Sequence, residues 1–479
     1  MDDLTALSRI DSFPYAHRLR EVMSTGLLTC DPGMDVGGAV AKMHEARVSS
    51  IIALDDEGRA AGIFTERDLL RLLATDGPAA LETNLGAVMA SPVATVDADA
   101  FIYLALAKMS KFGFRHLVVV DGDKRPIGVT TARSLLRVRA ADALALGVSI
   151  EEAQGSEDMK QVMAGLPRLA KSLLAEGLSA RVIASVIAMT VRDLTARAAQ
   201  LSEQSLIADG WGPAPCRYAV LILGSAGRGE SLLTFDQDNA IVYEGGEGED
   251  RWFAELGKRL NDMLNGAGIP FCDGGVMARE AKWRKSLEDW KAEVHSWVFS
   301  LDPQTVMYCD IFFDFQPVWG DRALAEELRE YSIDKASQSA FFLQYLAQHV
   351  AQMETAVGLF GQFKTKLGRL NAKKFGLLPL IAAARFRAIR AHITATATDE
   401  RYAELRSQGL LHDDDLRDFV EIRELMFRAM LEQQISDIAG RIPPSARIDP
   451  SGFDKRTRSR LRWAFHRLHA LKYVCGVGR

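Results

Sequence analysis

Apolar runs long enough to cross a bilayer are missing from this chain; none approaches the roughly 20 residues that a spanning helix needs. Cysteine is scarce. Cys30, Cys216, Cys272, Cys309 and Cys475 are scattered with no Cys-x-x-Cys pair, which points to buried thiols in a reducing compartment rather than disulfides or zinc. Excess positive charge is also lacking: 58 Lys and Arg against 63 Asp and Glu leave a net charge of −5 and a pI near 6.1. Bulk nucleic-acid binding normally wants a basic face, so no DNA partner is expected. The opening MDDLTALSRIDSF has no apolar signal core. These absences predict a cytoplasmic protein with no membrane partner. What remains is ordinary for a soluble protein, 48% hydrophobic and 25% charged residues. At 479 residues the chain exceeds a single core and predicts three or four domains.

An internal repeat occupies the first part. LREVMSTGLLTCDPGMDVGGAVAKMHEARVSSIIALDDEGRAAGIFTERDLLRLL aligns with LGAVMASPVATVDADAFIYLALAKMSKFGFRHLVVVDGDKRPIGVTTARSLLRV. Each copy gives Val-Met, a short strand, an A-x-x-K-M helix, an apolar strand, an acidic-glycine turn and a G-h-x-T step from strand to helix. Such a unit buries its apolar face against its twin. The pattern resembles a tandem pair of CBS domains, a Bateman module. In that family the G-h-x-T-x-x-D segment holds adenosine nucleotides, so the resemblance implies AMP, ADP or ATP as ligand. It carries over to Gly62, Thr65 and Asp68 in the first copy and to Gly128 and Thr131 in the second. Ser134 stands where the second Asp belongs; an uncharged serine grips a ribose diol less well. A degenerate pair that only dimerises or supports its neighbours is the other reading. CBS pairs often associate in twos, which implies a homodimer.

The richest stretch is Leu221–Tyr243, LILGSAGRGESLLTFDQDNAIVY. It predicts an apolar strand, a Gly-Ser turn, a short helix and a second strand opening on two aspartates. Gly224 lets a phosphate approach the backbone, and Ser225 adds donors near a helix N-terminus, where the dipole favours anions. Asp236 and Asp238, one residue apart on a strand, share a face. They would repel unless a hard cation such as Mg²⁺ bridged them to nucleotide phosphates. The pattern resembles the nucleotidyltransferase superfamily that includes DNA polymerase β, aminoglycoside nucleotidyltransferases and PII-uridylyltransferase. With Arg228, Glu230 and the D-Q-D-N run Asp236–Asn239, it resembles more narrowly the nucleotidyltransferase domains of bacterial signal proteins that carry CBS domains. Arg228 either neutralises a β- or γ-phosphate or pairs with Glu230 or a nearby carboxylate.

That superfamily also needs a third carboxylate on a neighbouring strand, to complete the metal site and help deprotonate the acceptor. The predicted strand is Val306–Gly320, where Asp310 and Asp314 fall on one face. Resemblance to an F-F-D-x-R segment selects Asp314, with Asp310 as backup. Gln316 stands where that segment has arginine, and glutamine lacks the charged bidentate grip on phosphate.

The flanks read as helices. Residues 141–210 carry apolar residues at three- and four-residue spacing, with Gly165 and Gly177 as punctuation; packing, spacing and a relay are their expected roles. KWRKSLEDW, with Lys282, Arg284, Lys285, Trp283 and Trp290, is a solvated helix face or, less simply, a base-stacking patch. His295 is read as structural. The C-terminal part resembles the helical substrate-binding domain that accompanies the narrower group: Lys373, Lys374, Gly376 and Leu377 match its basic-glycine-leucine stretch, and Thr398, Glu400 and Arg401 its T-x-E-R turn. Lys374 and Arg385 either reach a triphosphate across a cleft or are surface charge. Arg387 and His392 fit a loose ribonuclease-like spacing that arises readily by chance, and the basic-apolar tail reads as a closing helix.

The expected fold is a multidomain α+β protein. It comprises a CBS pair over 13–140 (13–75 and 82–140), a connector over 141–210, a polymerase β-like core over 211–325 and an all-helical domain over 326–479. The expected function is Mg²⁺-dependent transfer of a nucleoside monophosphate from an NTP, ATP or UTP, to a hydroxyl of a protein or small molecule, under adenine-nucleotide control. Asp236, Asp238 and Asp314 would hold metal, and Gly224, Ser225, Arg228, Glu230 and Lys374 the substrate. The alternative is a non-catalytic nucleotide-sensing regulator.

Overall fold

The computed structural model describes residues 18–131, 148–246, 248–300, 303–354, 356–358 and 362–468. They divide between two compact units, Met1–Ala145 and Leu146–Arg479.

The first unit is the repeat. Copy one runs β1 (Thr29–Cys30), α1 (Val36–Ala46), β2 (Ser50–Leu54), β3 (Ala60–Thr65) and α2 (Glu66–Asp76); copy two gives β4 (Thr95–Asp97), α3 (Ile102–Phe112), β5 (His116–Val120) and β6 (Pro126–Thr131). Each sheet joins a parallel pair to an antiparallel hairpin, in the orders β1-β2-β3 and β4-β5-β6. The hairpins turn alike. Asp55 Oδ1 accepts from the amides of Glu57 and Arg59, and Asp121 Oδ1 from those of Asp123 and Arg125. Strand alternation then sorts the side chains: Ile51, Ala53 and Phe64 pack with α1, while Ile52 and Ile63 meet Val118 and Val120 between the two sheets.

The repeated Val-Met and glycine explain one another. Ser24, after Met23, exchanges two backbone hydrogen bonds with Val129 of the other copy; Ala90, after Met89, does the same with Ile63. Each methionine thereby lies over the opposite glycine. A Cβ on Gly62 would stand 2.3 Å from Met89 Sδ, and one on Gly128 2.8 Å from both Met23 Sδ and the Ser24 carbonyl. The copies are interlocked by swapped segments, and Gly62 has a packing reason of its own. Ser134 lies outside the described residues.

The second unit begins with α4 (Ser156–Ala175) and α5 (Ala180–Ala208). Gly165 sits inside α4, and Gly177, at φ +82°, makes the turn after it. These helices are no free linker: Met159, Ile183, Ile187 and Leu194 enter the same core as the sheet. That sheet has the order β10-β7-β8-β9, with β7 (Tyr218–Ile222), β8 (Asn239–Tyr243), β9 (Arg284–Ser286) and β10 (Gln316–Gly320). β7 and β8 are buried throughout, as strands covered on both faces must be, which accounts for their unbroken apolar runs. α6 (Asp250–Gly266) covers the sheet with Phe253 stacked on Tyr243 at 4.4 Å. α7 (Leu287–Ser300) brings Trp290, which donates to the Ile241 carbonyl at 2.9 Å. Trp283 and Trp290 are core residues and Arg284 pairs with Asp250, so KWRKSLEDW is neither a solvated face nor a stacking platform. His295 is exposed against Phe299.

The strand expected over Val306–Gly320 is instead α8 (Pro303–Phe312), a turn at Phe313–Asp314, and β10. A short run rich in aromatics fits helix and strand alike; here Phe312 packs against Trp290 and Trp297, and Phe315 against Phe312. Helices follow: α9 (Arg322–Gln338), α10 (Ala340–Gln352), α11 (Leu378–Arg390), α12 (Thr398–Ser407), α13 (Asp413–Ala439) and α14 (Lys455–Leu468). The region is helical but not purely so, since β11 (Leu370–Asn371) pairs with β12 (Arg447–Ile448).

Replacing Gly128 by alanine forces the Ser24 carbonyl or Met23 to move. Thermal unfolding of the first unit is expected to show a loss of about 1–3 kcal/mol.

Candidate active site

β7 delivers the chain to the Gly-Ser turn. Leu223 N donates to Asp238 O at 2.8 Å, extending the β7–β8 ladder one step, and a single helical turn follows at Gly224–Gly227. Two glycines make this turn possible. Gly224 has φ +60°, and a Cβ there would lie 2.3 Å from Asp238 Oδ2; a Cβ on Gly227 would lie 2.2 Å from the Asp314 carbonyl. The backbone is therefore wedged between two aspartates. Ser225 Oγ stands 3.5 Å from Ser231 Oγ.

Asp236 and Asp238 precede β8 in an extended segment rather than lying within the strand. The alternation of D-Q-D-N still decides where they point. Gln237 turns inward and donates to the carbonyls of Asn261 and Ile269, while Asn239 Oδ1 accepts from Ala278 N and Asn261 Nδ2. The aspartates take the opposite side. One carboxylate oxygen from each, together with Cys272 Sγ, lie within 4.8 Å of one another. Burial, and then the charge of Asp236, push Asp238 up to about 6, against a weaker pull from the Cys272 hydrogen bond and then from Lys373 and Arg228. Two carboxylates this close, one against a backbone that admits no side chain, suit a divalent cation. Cys272 is a third potential ligand, softer than oxygen.

Asp314 is elsewhere. Its carboxylate is fully buried and caged by three arginines: Arg228 Nη1 donates to Oδ2 at 2.7 Å, Arg385 Nη2 to Oδ2 at 2.5 Å, and Arg401 Nη1 to Oδ1 at 2.7 Å. Burial alone would raise its pKa, but Arg385, Arg401 and Arg228 together hold it well below the usual carboxylate range. The expectation of Asp314 as a metal ligand therefore needs correcting: its oxygens are occupied by guanidinium groups. Asp310 pairs with Arg385 at 2.6 Å and stands 3.4 Å from His349. Nor does β9, the other neighbour of β8, supply a carboxylate, since it consists of Arg284, Lys285 and Ser286.

The cage also claims residues expected on substrate. Arg228 donates to Glu230 at 3.0 Å as well as to Asp314, which is the pairing role. Glu230 accepts from Arg423 at 2.7 Å and from Thr398 N at 3.2 Å. Gln316 donates to Thr396 Oγ1, and Arg401 also donates to the Phe313 carbonyl at 3.0 Å. Arg387 donates to the Leu410 carbonyl, and His392 Nδ1 bonds Ser337 Oγ at 3.0 Å.

Of the paired lysines, Lys374 is exposed, 4.0 Å from Glu354 and over the Phe375 ring. Lys373 is the half-buried one whose charge acts on Asp238. Both belong to a single π-type turn, Lys373–Leu377, an irregularity frequent at functional sites. Gly376 in that turn leaves room for Met426, whose Sδ would be 2.6 Å from a Cβ. Sequence reasoning gave the substrate role to Lys374, named Lys373 only as part of the basic-glycine-leucine stretch, and read Cys272 only as a buried thiol.

In the CBS copies, Thr65 N and Oγ1 donate to Asp68 Oδ2 at 3.1 and 2.7 Å, and Arg71 donates to Oδ1 at 3.0 Å. These bonds form a capping box at the start of α2. Thr131 ends β6 opposite His116.

Several stretches of the chain are similar to known proteins. Residues 164–304 match the family model "Putative nucleotidyltransferase DUF294", residues 340–475 its "Putative nucleotidyltransferase substrate binding domain", and residues 19–75 and 85–141 the CBS domain. An uncharacterized protein of Methanopyrus kandleri is 30% identical over 118 residues, 25% of this chain and 60% of that protein. The arabinose 5-phosphate isomerase of Pseudomonas aeruginosa is 35% identical over 105 residues, 22% of this chain and 32% of the isomerase. A solved CBS domain protein from Pyrobaculum aerophilum, complexed with AMP, is 23% identical with a TM-score of 0.23, covering 25% of this chain and 90% of that one.

Changing Asp314 to asparagine leaves three buried arginines short of a counter-charge, with an expected loss of about 3–5 kcal/mol at pH 7. The pKa of Asp314 is lower folded than unfolded, so its contribution is present above about pH 4 and is lost as pH falls. Melting temperature measured against pH is expected to fall steeply below about pH 4 in the wild type and more gently in the variant.

Proposed function

Since the chain carries a CBS pair, a DUF294 nucleotidyltransferase domain and the substrate-binding domain that accompanies it, we propose that it is a nucleotidyltransferase. It uses a divalent metal and is governed by adenine nucleotides at the CBS pair. The observation that carries this reading is the contact of Gly224 with Asp238: the missing Cβ brings a metal-binding carboxylate against the turn that receives phosphate. A cation such as Mg²⁺ on Asp236 and Asp238 would neutralise and orient the triphosphate of the donor, ATP or UTP.

The chain's own residues then have separable parts. Gly224 and Ser225 offer an open backbone to the triphosphate, and Lys373 adds a cation near Asp238. An acceptor hydroxyl of a protein or small molecule attacks the α-phosphorus. The new oxygen–phosphorus bond forms as the bond to the β-phosphate breaks, and pyrophosphate leaves. With Asp314 caged, Asp236 and Asp238 are the site carboxylates left to take the hydroxyl proton.

One observation favours a second reading. The third carboxylate of the superfamily is tied up and β9 offers none, which fits a regulator that binds nucleotide without transferring it. Label transfer from α-labelled nucleoside triphosphates into the protein and small-molecule fractions of a cell extract separates the two. Transfer is expected, with Asp238→Asn lowering it about a thousandfold, the loss of several kcal/mol of charge stabilisation. Metal-dependent binding that needs Asp238 but gives no transfer supports the regulator, and labelling indifferent to Asp238 sinks the assignment.

At the CBS pair the first copy, with Asp68, is the stronger half-site. Asp68→Ala is expected to weaken AMP binding about tenfold or more in calorimetry, the worth of a charged hydrogen bond. An unchanged affinity places the ligand elsewhere.

A further inference from the structure

Arg192 lies in the middle of α5, half-buried, directly behind the Gly-Ser turn. Its Nε donates to the Ala226 carbonyl and its Nη2 to the Gly227 carbonyl, both at 2.7 Å. Among the described residues no carboxylate comes within ion-pair distance of it; Asp193 and Glu400 act on it only from farther away, and burial lowers its pKa. A half-buried guanidinium that holds only carbonyls does little for stability, because its desolvation is not offset by a counter-charge. The arrangement does something else. Two parallel bonds from a planar fork fix the orientation of two successive peptide groups, and these close the turn that begins at Gly224. The same turn is pressed by Asp314 O on one flank and Asp238 on the other.

We propose that Arg192 is the positioning residue for triphosphate binding. By gripping the far-side carbonyls of Ala226 and Gly227 it aims the backbone of Gly224 and Ser225 at the phosphates and sets a positive charge behind them. It touches no substrate. α5 is itself secured at its start, where the amides of Ala180 and Arg181 donate to Glu424 at 2.8 and 3.2 Å. The grip therefore ties the turn to a helix that the C-terminal region holds in place. This inference rests on the turn being the phosphate site.

Hydrogen exchange of the full-length protein, read at peptides covering residues 221–243, tests both steps. The probe is each common nucleoside triphosphate with Mg²⁺. In the free protein, Arg192→Gln is expected to speed exchange at Gly227–Glu230 while β7 and β8 keep their protection. It is also expected to raise the nucleotide concentration for half-protection of the turn about tenfold or more. Arg192→Lys, which keeps the charge but loses the fork, is expected to fall between and serves if the glutamine variant is unstable. If wild type and both variants are protected equally, Arg192 has no positioning role and the phosphate reading stands. If no nucleotide protects the turn in the wild type, the phosphate reading fails and this inference with it.

Discussion

The carboxylate of Asp314, buried among Arg228, Arg385 and Arg401, is the interaction on which the second unit depends. An isolated carboxylate in such a place would cost several kcal/mol or more, and removing one partner of a buried pair is similarly severe. Here the partners come from three separate elements: the loop after the Gly-Ser turn, α11 and α12. The network continues through Glu230 to Arg423 on α13, and through Asp399 to Arg181 on α5. Charge alternates along this path, so each charged group faces one of opposite sign and removing a link strands its neighbour. The β10-β7-β8-β9 sheet and the C-terminal helices are in this sense one folding unit.

That constraint shapes the candidate site without entering it. Gly227 packs on the backbone of Asp314, so the position of the cage sets the position of the Gly-Ser turn. The turn is then bounded by Asp314, Asp238 and Arg192, and a segment bounded on three sides loses little entropy when a ligand arrives. Helices that read in sequence as connector and substrate domain share in fixing the Gly-Ser turn.

What was legible in the sequence was what is local. The CBS repeat, the Gly-Ser turn and the Asp-x-Asp pair are each contained within a few dozen residues, where strand alternation and glycine geometry act directly. Asp314 was misread because its partners lie 86, 71 and 87 positions away, and no spacing announces that three arginines will converge on it. Its apolar neighbours fitted a strand as readily as a helix and turn. The adjacent lysines show the same limit at smaller scale: the π-type turn decides which of Lys373 and Lys374 approaches Asp238, and nothing in KKFGL marks it. Cys272 was unremarkable until folding placed its sulfur beside two carboxylates.

The two kinds of aspartate in this unit divide the labour through their surroundings. Asp314 has three guanidiniums and is held ionised; Asp238, buried and with a second carboxylate for a neighbour, is pushed up to about 6. Opposed environments around like residues are how one fold separates structural from chemical roles. A carboxylate satisfied by the protein has nothing left to offer a ligand, whereas a pair that the protein leaves mutually repelling is stabilised by whatever cation arrives. The charge that the fold neutralises at Asp314 and leaves unneutralised at Asp236 and Asp238 therefore points to the same place as the glycine that makes room beside them.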